Sequence, residues 1–434
     1  MSPVLILAVT FAACLITGVP VAISMGMAAL VTIVFTPSIP ITHLVNTMYS
    51  AANSFTLIAL PMFLLAGYIM QFGGVARRIV DFAEVAVGRI VGGLGATCTV
   101  ATAIFSAVSG SGPATTAAIG SIMIPSMLRA GYKDGYAEGL AACAGGLAIL
   151  IPPSIPLIII ALQLGLSIPR LFLSGVLPGL LVACFLLGTN YILAKRRNWG
   201  ESSAPTARSK KSRIAEISVA AYRAKWALLA PVVVLGSIYS GLVTITEASV
   251  IAVLYALLAA IGIYKEMTWE KFVRVITSTI QVSGVVLILL TMGFGFAQLI
   301  AWFNVANMFS AWVTSVTSNP ILLTLLMVAF LLFIGMWMDT IAEIFIFGPL
   351  FLPVMTGAGM DPYTYALVFI MSCEIGFDTP PVGANLFVVA EIGEHTFEQI
   401  SLYAIRFVLA EVAAMLIVAF TPGLTLWLPR ILMG

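Results

Sequence analysis

The sequence predicts an all-α, polytopic helical membrane protein made of two inverted-topology repeats, each containing a re-entrant helical hairpin and a broken helix. Of its 434 residues, 61% are hydrophobic and only 9% are charged, whereas soluble domains carry roughly 25% charged residues. The apolar runs are also long and continuous, and at about 20 residues per crossing they leave room for roughly ten or more spans. An internal repeat, described below, predicts the two-unit architecture.

The chain divides at a basic segment. Residues 195–225 hold nine of the 20 Lys and Arg residues, among Ser, Pro and Asn, which is typical of a solvated linker. We therefore interpret 1–194 as the first repeat, 195–225 as a cytoplasmic linker and 226–434 as the second repeat. No positively charged region precedes the first apolar segment, so the first helix is expected to stay in the protein.

An internal similarity relates the two halves. When the chain is shifted by 228 residues, glycines and prolines of the two halves superpose without a gap. The matches are Gly120 with Gly348, Pro125 with Pro353, Gly131 with Gly359, and Pro152-Pro153 with Pro380-Pro381. Apolar matches arise by chance in membrane proteins, but several glycine and proline coincidences at one offset do not. The pattern indicates two copies of one unit.

The basic residues predict the orientation, because short cytoplasmic loops collect Lys and Arg. With the N-terminus in the periplasm, 17 of the 20 basic residues fall on the cytoplasmic side, while residues 275–405 contain no Lys or Arg at all. The hairpin of the first half would then open towards a charged side and its counterpart towards an uncharged, outer side. Opposite charge bias is what inverted repeats require. The C-terminus is expected in the periplasm.

Each half contains an apolar segment that is too long for one span. The first, at about 92–128, is interrupted by Ser109-Gly110-Ser111-Gly112-Pro113, which predicts a hairpin that enters and leaves on one side. Glycine frees carbonyl groups from helical bonding, and proline suits the first turn of the second arm, where its missing N–H costs nothing. The counterpart, at about 321–358, breaks near Gly335, and residues 337–340 occupy the position of the tip.

A second break follows each hairpin. Ile151-Pro152-Pro153-Ser154 interrupts the segment at about 136–163, and Asp378-Thr379-Pro380-Pro381-Val382-Gly383 interrupts 364–390. Consecutive prolines end a helix, since each lacks a donor and clashes with the preceding turn. Unwound backbone is tolerated at membrane depth only where it is buried in protein or lines a polar cavity. Four breaks therefore predict a shared polar site, with oxygen ligands for an alkali cation and helix N-termini for an anion.

Four acids distinguish the second half. Asp339, Glu343, Glu374 and Asp378 lie in apolar surroundings, where a carboxylate is costly and usually marks a transport path. The equivalent positions of the first half carry no acid, so two ion sites would differ chemically. For Glu343 and Glu374 a structural role, as buried acids hydrogen-bonded to backbone, stays open.

These motifs resemble those of the large membrane (M) subunit of the tripartite ATP-independent periplasmic (TRAP) transporters. The resemblance extends over essentially the whole chain and is most specific at the first hairpin tip and at the 378–383 motif. It implies an elevator-type secondary transporter of the bacterial inner membrane that uses a sodium gradient to take up a small organic acid. It also implies a periplasmic substrate-binding protein and a small four-helix membrane subunit, which we expect as a separate chain.

The same resemblance assigns candidate residues. Sodium, the coupling ion, would bind at two sites, each made by one hairpin tip and one break, and the substrate would lie between the tips. The assigned residues are Ser109, Gly110, Ser111, Gly112, Gly145 and Pro152 for the first sodium site, Trp337, Met338, Asp339, Thr340, Asp378, Thr379 and Pro380 for the second, and Ser111, Thr115, Asp339 and Thr340 for the substrate.

Other interpretations stay open at this stage. A self-sufficient sodium- or proton-coupled dicarboxylate carrier or exchanger of a related fold would share these features, and it would transport without partner proteins. The Ser-Gly run of the first tip also suits close helix packing alone. Segments 75–90 and 301–314 are amphipathic, and we expect them to lie in the membrane interface as bracing arms, with a cavity-lining role as the alternative.

The sequence argues against an enzyme and against a nucleic-acid partner. All five cysteines stand singly in apolar stretches, so neither a zinc site nor a redox site is expected. The two histidines lie near predicted segment ends, and neither pairs convincingly with the serines of the first tip, as an intramembrane protease would need. No residue identifies the organic acid.

Overall fold

The structure, a computed structural model, describes residues 2–36, 39–133, 135–197, 199 and 210–434, and within them it contains helices and no β-strand. The predicted all-α class is thus confirmed. The helices are α1 (Pro3–Ile16), α2 (Val21–Val34), α3 (Ile41–Ala52), α4 (Ala59–Phe72), α5 (Val75–Val87), α6 (Gly93–Ser109), α7 (Gly112–Arg129), α8 (Tyr136–Gly145), α9 (Leu147–Leu150), α10 (Ile155–Leu164), α11 (Ile168–Arg197), α12 (Lys210–Arg223), α13 (Lys225–Tyr239), α14 (Ile245–Leu257), α15 (Trp269–Trp302), α16 (Val305–Val316), α17 (Pro320–Gly335), α18 (Thr340–Ile346), α19 (Gly348–Gly357), α20 (Pro362–Phe377), α21 (Ala384–Ile392), α22 (Phe397–Phe420) and α23 (Gly423–Met433).

Five of the helical stretches in the described residues are individually long and apolar enough to cross a membrane. They are Phe55–Phe72, Ile168–Arg197, Ile245–Ile263, Trp269–Trp302 and Phe397–Phe420. Three further pairs of helices pass the same test together but are bent by more than 40° at a short break. The count stays below the roughly ten spans predicted from apolar content, because much of that content lies in shorter helices that end at glycines and prolines.

The predicted linker 195–225 is partly helical. Helix α11 continues to Arg197 and α12 covers Lys210–Arg223, while residues 198 and 200–209 lie outside the described residues. The described parts of the linker are therefore mainly helical, and Lys195, Arg196 and Arg197 at the end of α11 are exposed. Lys and Arg are good helix formers, and in the last turn of α11 they complement the negative end of the helix dipole.

The broken elements pack on one another. Helix α7 lies against α8 and α21, α17 lies against α20, and α10 contacts α18, α19 and α20. The long helix α15 packs beside α18, and α4 packs beside α6. The amphipathic segments expected as arms form α5 and α16. This packing brings the two hairpins and the two broken helices together without intervening elements.

Candidate substrate and ion site

The first hairpin turns at Gly110 and Ser111, between α6 and α7. Gly110 has a φ of +67°, a left-handed conformation that glycine adopts without strain. The Ile155 N–H donates a hydrogen bond to the Gly110 carbonyl at 3.1 Å, and a Cβ on Gly110 would lie 2.6 Å from the carbonyl oxygen of Pro153. The structure thus brings the first tip into contact with the break before α10.

The other residues assigned to the first sodium site lie close to this contact. Ser109, Gly112, Gly145 and Pro152 are all buried. Gly145 marks the close approach of α8 to α7, since a Cβ on Gly145 would overlap the hydroxyl of Thr116. Ser111 is half-buried and has the extended conformation of a residue that precedes a helix. Hydroxyl and carbonyl oxygens are therefore concentrated at the tip.

The second hairpin turns between Gly335 and Thr340. Asp339 is the N-cap of α18, and its Oδ1 accepts a hydrogen bond from the Ile341 N–H at 2.9 Å, a role for which aspartate is strongly preferred. Trp337 differs from its neighbours, because its side chain is 58% exposed, whereas Met338 packs against the core. The indole of Trp337 therefore lies outside the buried part of the second tip.

A hydrogen-bonded network links the second tip to the second break. The Thr340 hydroxyl donates to Glu374 Oε2 at 3.3 Å. The Asn385 amide donates to Glu374 Oε1 at 3.4 Å and to Asp378 Oδ1 at 2.6 Å. A Cβ on Gly112 would lie 2.9 Å from Glu374 Oε1, so the first tip touches the same carboxylate. Glu374, on the second broken helix, therefore lies beside the tips of both hairpins.

A cavity of about 330 Å³ opens where the two tips face each other. This volume is at the small end of the range of roughly 300–1,000 Å³ found for small-molecule sites. Its polar lining comes from both tips, from α20 and from α15. The polar and glycine positions are Gly110, Ser111, Gly112, Gln281, Asp339, Thr340 and Glu374. Ile149, Ile155 and Pro156, on both sides of the first break, complete one wall.

The cavity includes three of the four residues assigned to the substrate. Ser111, Asp339 and Thr340 line it, but Thr115 does not. Thr115 lies one turn further along α7 and is fully buried; its hydroxyl has no hydrogen-bond partner among the described residues. The carboxylate of Asp378 is also absent from the lining of this cavity.

Three acids of this region, Glu343, Glu374 and Asp378, are buried, and among the described residues no basic side chain pairs with them. Asp378 is 1% exposed and Glu343 is fully buried, and neither oxygen of Glu343 has a hydrogen-bond partner within the described part of the chain. The ion pairs found among the described residues, such as Arg78 with Glu266, lie elsewhere. Because a buried carboxylate is strongly destabilised unless it is paired or hydrogen-bonded, the site is suited to receive a cation.

Several polar residues of this region were not predicted from the sequence. Asn385 and Gln281 reach the site from α21 and α15, and only the packing of those helices reveals their positions. Glu411 is 3% exposed on α22, and as an acid in an apolar segment it should have been recognised by the rule applied to the other four. Buried Glu138 also pairs with His395 Nδ1 at 2.8 Å, away from the cavity.

Two helix hairpins and two broken helices meet at one cavity with acidic and hydroxyl groups in its lining, an arrangement typical of helical membrane transport proteins. Residues 8–424 match the family described as "Tripartite ATP-independent periplasmic transporter, DctM component". The chain belongs to this family, and the predicted resemblance is confirmed. It is therefore a multi-pass transporter permease rather than an enzyme.

Characterised relatives support this membership. The chain is 35% identical, over 96% of its length, to the isethionate TRAP transporter permease protein DctMQ of Oleidesulfovibrio alaskensis, but it spans only 65% of that relative. It is 33% identical to the C4-dicarboxylate TRAP transporter large permease protein DctM of Pseudomonas aeruginosa, over 94% of each chain. It is 32% identical to the sialic acid TRAP transporter large permease protein SiaM of Vibrio cholerae, over 97% of each.

A solved structure has a similar fold. The YdaH transporter of Alcanivorax borkumensis superposes on 88% of this chain and 88% of its own with a TM-score of 0.51, at 15% sequence identity. At this identity the similarity concerns the fold alone. It agrees with a helical transporter architecture and carries no statement about the substrate.

Proposed function

We propose that the chain carries a small organic acid across the bacterial inner membrane, coupled to sodium, by an elevator-type movement of the hairpins and broken helices. A periplasmic substrate-binding protein delivers the acid, and a small four-helix membrane subunit completes the transporter. The observation that carries this proposal is the cavity of about 330 Å³ to which both hairpin tips and both broken helices contribute.

The cavity has features suited to an anionic substrate. The first turns of α7 and α10 line it through Gly112 and Ile155, and the N-terminal end of a helix carries a partial positive charge. The relatives named above are designated for isethionate, C4-dicarboxylates and sialic acid, all of which bear an acidic group. We therefore propose a C4-dicarboxylate, a sialic acid or a similar carboxylate as the substrate.

The surrounding oxygens are suited to sodium. Carboxylate, hydroxyl and carbonyl oxygens are the ligands that hard cations prefer, and here they come from Ser111, Asp339, Thr340 and the broken backbone beside them. Binding of a cation would also offset the charge of the buried acids. Sodium binding and acid binding at adjacent positions would then be coupled, because each favours the other electrostatically.

Reconstitution in proteoliposomes tests the proposal. We expect uptake of a labelled acid to need an inward sodium gradient, the small subunit and the binding protein. Asp378→Asn should lower sodium-dependent uptake by about tenfold or more, as loss of groups around a metal ion generally does, while Asp81→Asn at an exposed position of α5 should leave it unchanged. Uptake by the chain alone would favour a self-sufficient carrier. Unchanged uptake by Asp378→Asn would show that the second ion site is misplaced.

A further inference from the structure

The lining of the cavity between the hairpin tips has two unlike parts. The tips and α20 contribute glycines, hydroxyl groups and two carboxylates, whereas the part contributed by α4 and α15 is apolar apart from one amide. The residues of this second part are Leu64, Gln281, Val282, Val285 and Val286. The hairpins and broken helices add further apolar surface through Ile149, Ile155, Pro156, Ile341 and Phe377. A molecule in the cavity therefore meets polar groups at the tips and mostly hydrocarbon elsewhere.

The ionisable groups of this lining are all acidic. They are Asp339 and Glu374, and no Lys, Arg or His is among the described residues that line the cavity. Asp339 Oδ1 is occupied by the Ile341 N–H. The Glu374 oxygens accept from Thr340 and Asn385. Because like charges repel more strongly away from water, each carboxylate of a substrate beyond the first adds repulsion that no protein cation in the lining offsets.

The first turn of α7 offers a place for one carboxylate. The side chain of Ser111, which precedes this turn, makes no capping hydrogen bond to it, so N–H groups that lack helical partners remain open to an anion. The other two helices that begin at the cavity are capped. Ser154 caps α10 and Asp339 caps α18. Of these three helix starts, one is thus left without a side-chain cap, which suits a substrate with a single carboxylate.

The apolar part of the lining favours a hydrocarbon body. Leu64 is 2% exposed and Val286 is 8% exposed, so both are packed within the protein. Burial of CH₂ groups against such side chains is favourable, whereas a hydroxyl or carboxylate loses its hydration there without a replacement. Gln281 is the exception, since its side chain is exposed and forms no hydrogen bond with another described residue. One amide can pair with one hydroxyl or carbonyl group, but it cannot neutralise a second carboxylate.

We infer that the cavity takes a small monocarboxylate with a largely apolar body, and that Gln281 contacts at most one further polar group of this acid. The inference rests on the proposed transport of an organic acid and narrows its substrate class. It disfavours dicarboxylates, which carry a second charge, and sugar acids, which carry several hydroxyl groups. Selectivity is then set by α4 and α15, which lie outside both hairpins and both broken helices.

Acid binding to the purified complex of the chain with its small subunit tests the inference without the selectivity of the binding protein. The probes are pentanoate and glutarate, which have the same number of carbon atoms and differ in the second carboxylate. The rise in melting temperature with acid concentration, in sodium buffer, gives the half-saturating concentration. We expect this concentration to be about tenfold or more lower for pentanoate than for glutarate. N-acetylneuraminate should bind no better than glutarate.

Gln281→Arg should reverse the preference, because a guanidinium group in the lining can pair with the second carboxylate of glutarate. We expect the half-saturating concentration of glutarate to fall about tenfold or more. Gln298→Arg, the same substitution on α15 outside the cavity, should match the wild type with both acids. If Gln281→Arg does not fold, Val285→Lys decides with the same expected reversal, since Val285 lines the cavity and is 65% exposed.

The outcomes separate the inference from the proposed function. Wild-type binding of glutarate as tight as that of pentanoate, or binding of neither acid, overturns the inference. An unchanged preference in the folded Gln281→Arg or Val285→Lys variant overturns the role of α15. If pentanoate binds selectively but uptake in proteoliposomes is independent of the sodium gradient, the proposed coupling is wrong and the inference stands. If sodium drives uptake of a C4-dicarboxylate while pentanoate does not bind, the proposed function stands and the inference is wrong.

Discussion

Asn385 holds two of the buried carboxylates in place. Its amide donates to Asp378 and to Glu374, and the residue itself is fully buried. Hydrogen bonds to ionised groups are stronger than those between neutral groups, and in a water-excluding interior they are the main compensation for lost hydration. Asn385 therefore positions the carboxylates of Glu374, which lines the cavity, and of Asp378 beside it.

Replacing Asn385 with alanine should impair stability and transport together. We expect the free energy of unfolding to fall by about 1.5–3 kcal/mol, the range for a hydrogen bond to a charged group, and uptake to fall in parallel. Thermal unfolding in detergent and uptake in proteoliposomes measure the two effects. Asn46→Ala, at an exposed position of α3, is the matched control. A wild-type melting temperature for Asn385→Ala would contradict the positioning role.

Single site residues could be predicted where a polar residue stands beside a helix break in an apolar segment. Asp339 and Thr340 follow a helix break in an apolar segment, and both line the cavity. Thr115 was assigned to the substrate by resemblance, but it lies a full turn inside α7. Gln281 lies in the middle of α15. The direction of its side chain depends on how that helix packs against the hairpins, and no local sequence pattern reveals this packing.

At the scale of elements, glycine and proline determined where helices end. Helix α6 ends at Ser109 and α7 begins at Gly112, within the predicted interruption. The second arms of the two hairpins nevertheless differ. Helix α7 is continuous, whereas α18 and α19 are bent by 62°. Pro349, at a position where α7 carries Ser121, explains the bend, because proline lacks the N–H of the helical hydrogen bond and clashes with the preceding turn.

Gly110→Ala should destabilise the first tip by more than the strain of its positive φ alone. A positive φ costs an L-residue about 1–2 kcal/mol, and overlap with the Pro153 carbonyl should add about 1–3 kcal/mol. Gly131→Ala is the control, since Gly131 has a φ of +86° with nothing within 4 Å of its Cβ position. We expect loss of sodium-dependent uptake for Gly110→Ala only. Equal effects in uptake and melting temperature would show that the contact between tip and break is unimportant.

At the scale of the whole molecule, the distribution of Lys and Arg predicts one orientation in the membrane. Single cysteines at Ser203, in the predicted linker, and at Ser318, between α16 and α17, test it in a variant without the five native cysteines. An impermeant thiol reagent applied from the periplasmic side should label Ser318→Cys, while Ser203→Cys should react only after the cytoplasmic side is opened. Labelling of Ser203→Cys from outside would overturn the topology.

The sequence by itself determined the membrane class, the family and the positions of the helix breaks. These features are local, because hydrophobicity acts through each segment and glycine and proline act on the backbone within a turn. Only the tertiary structure decided which side chains meet at the breaks. Gln281 lines the cavity and Asn385 hydrogen-bonds to two carboxylates beside it. Both reach the site from helices that ordinary hydrophobic packing brings together, and packing depends on contacts between residues far apart in the chain.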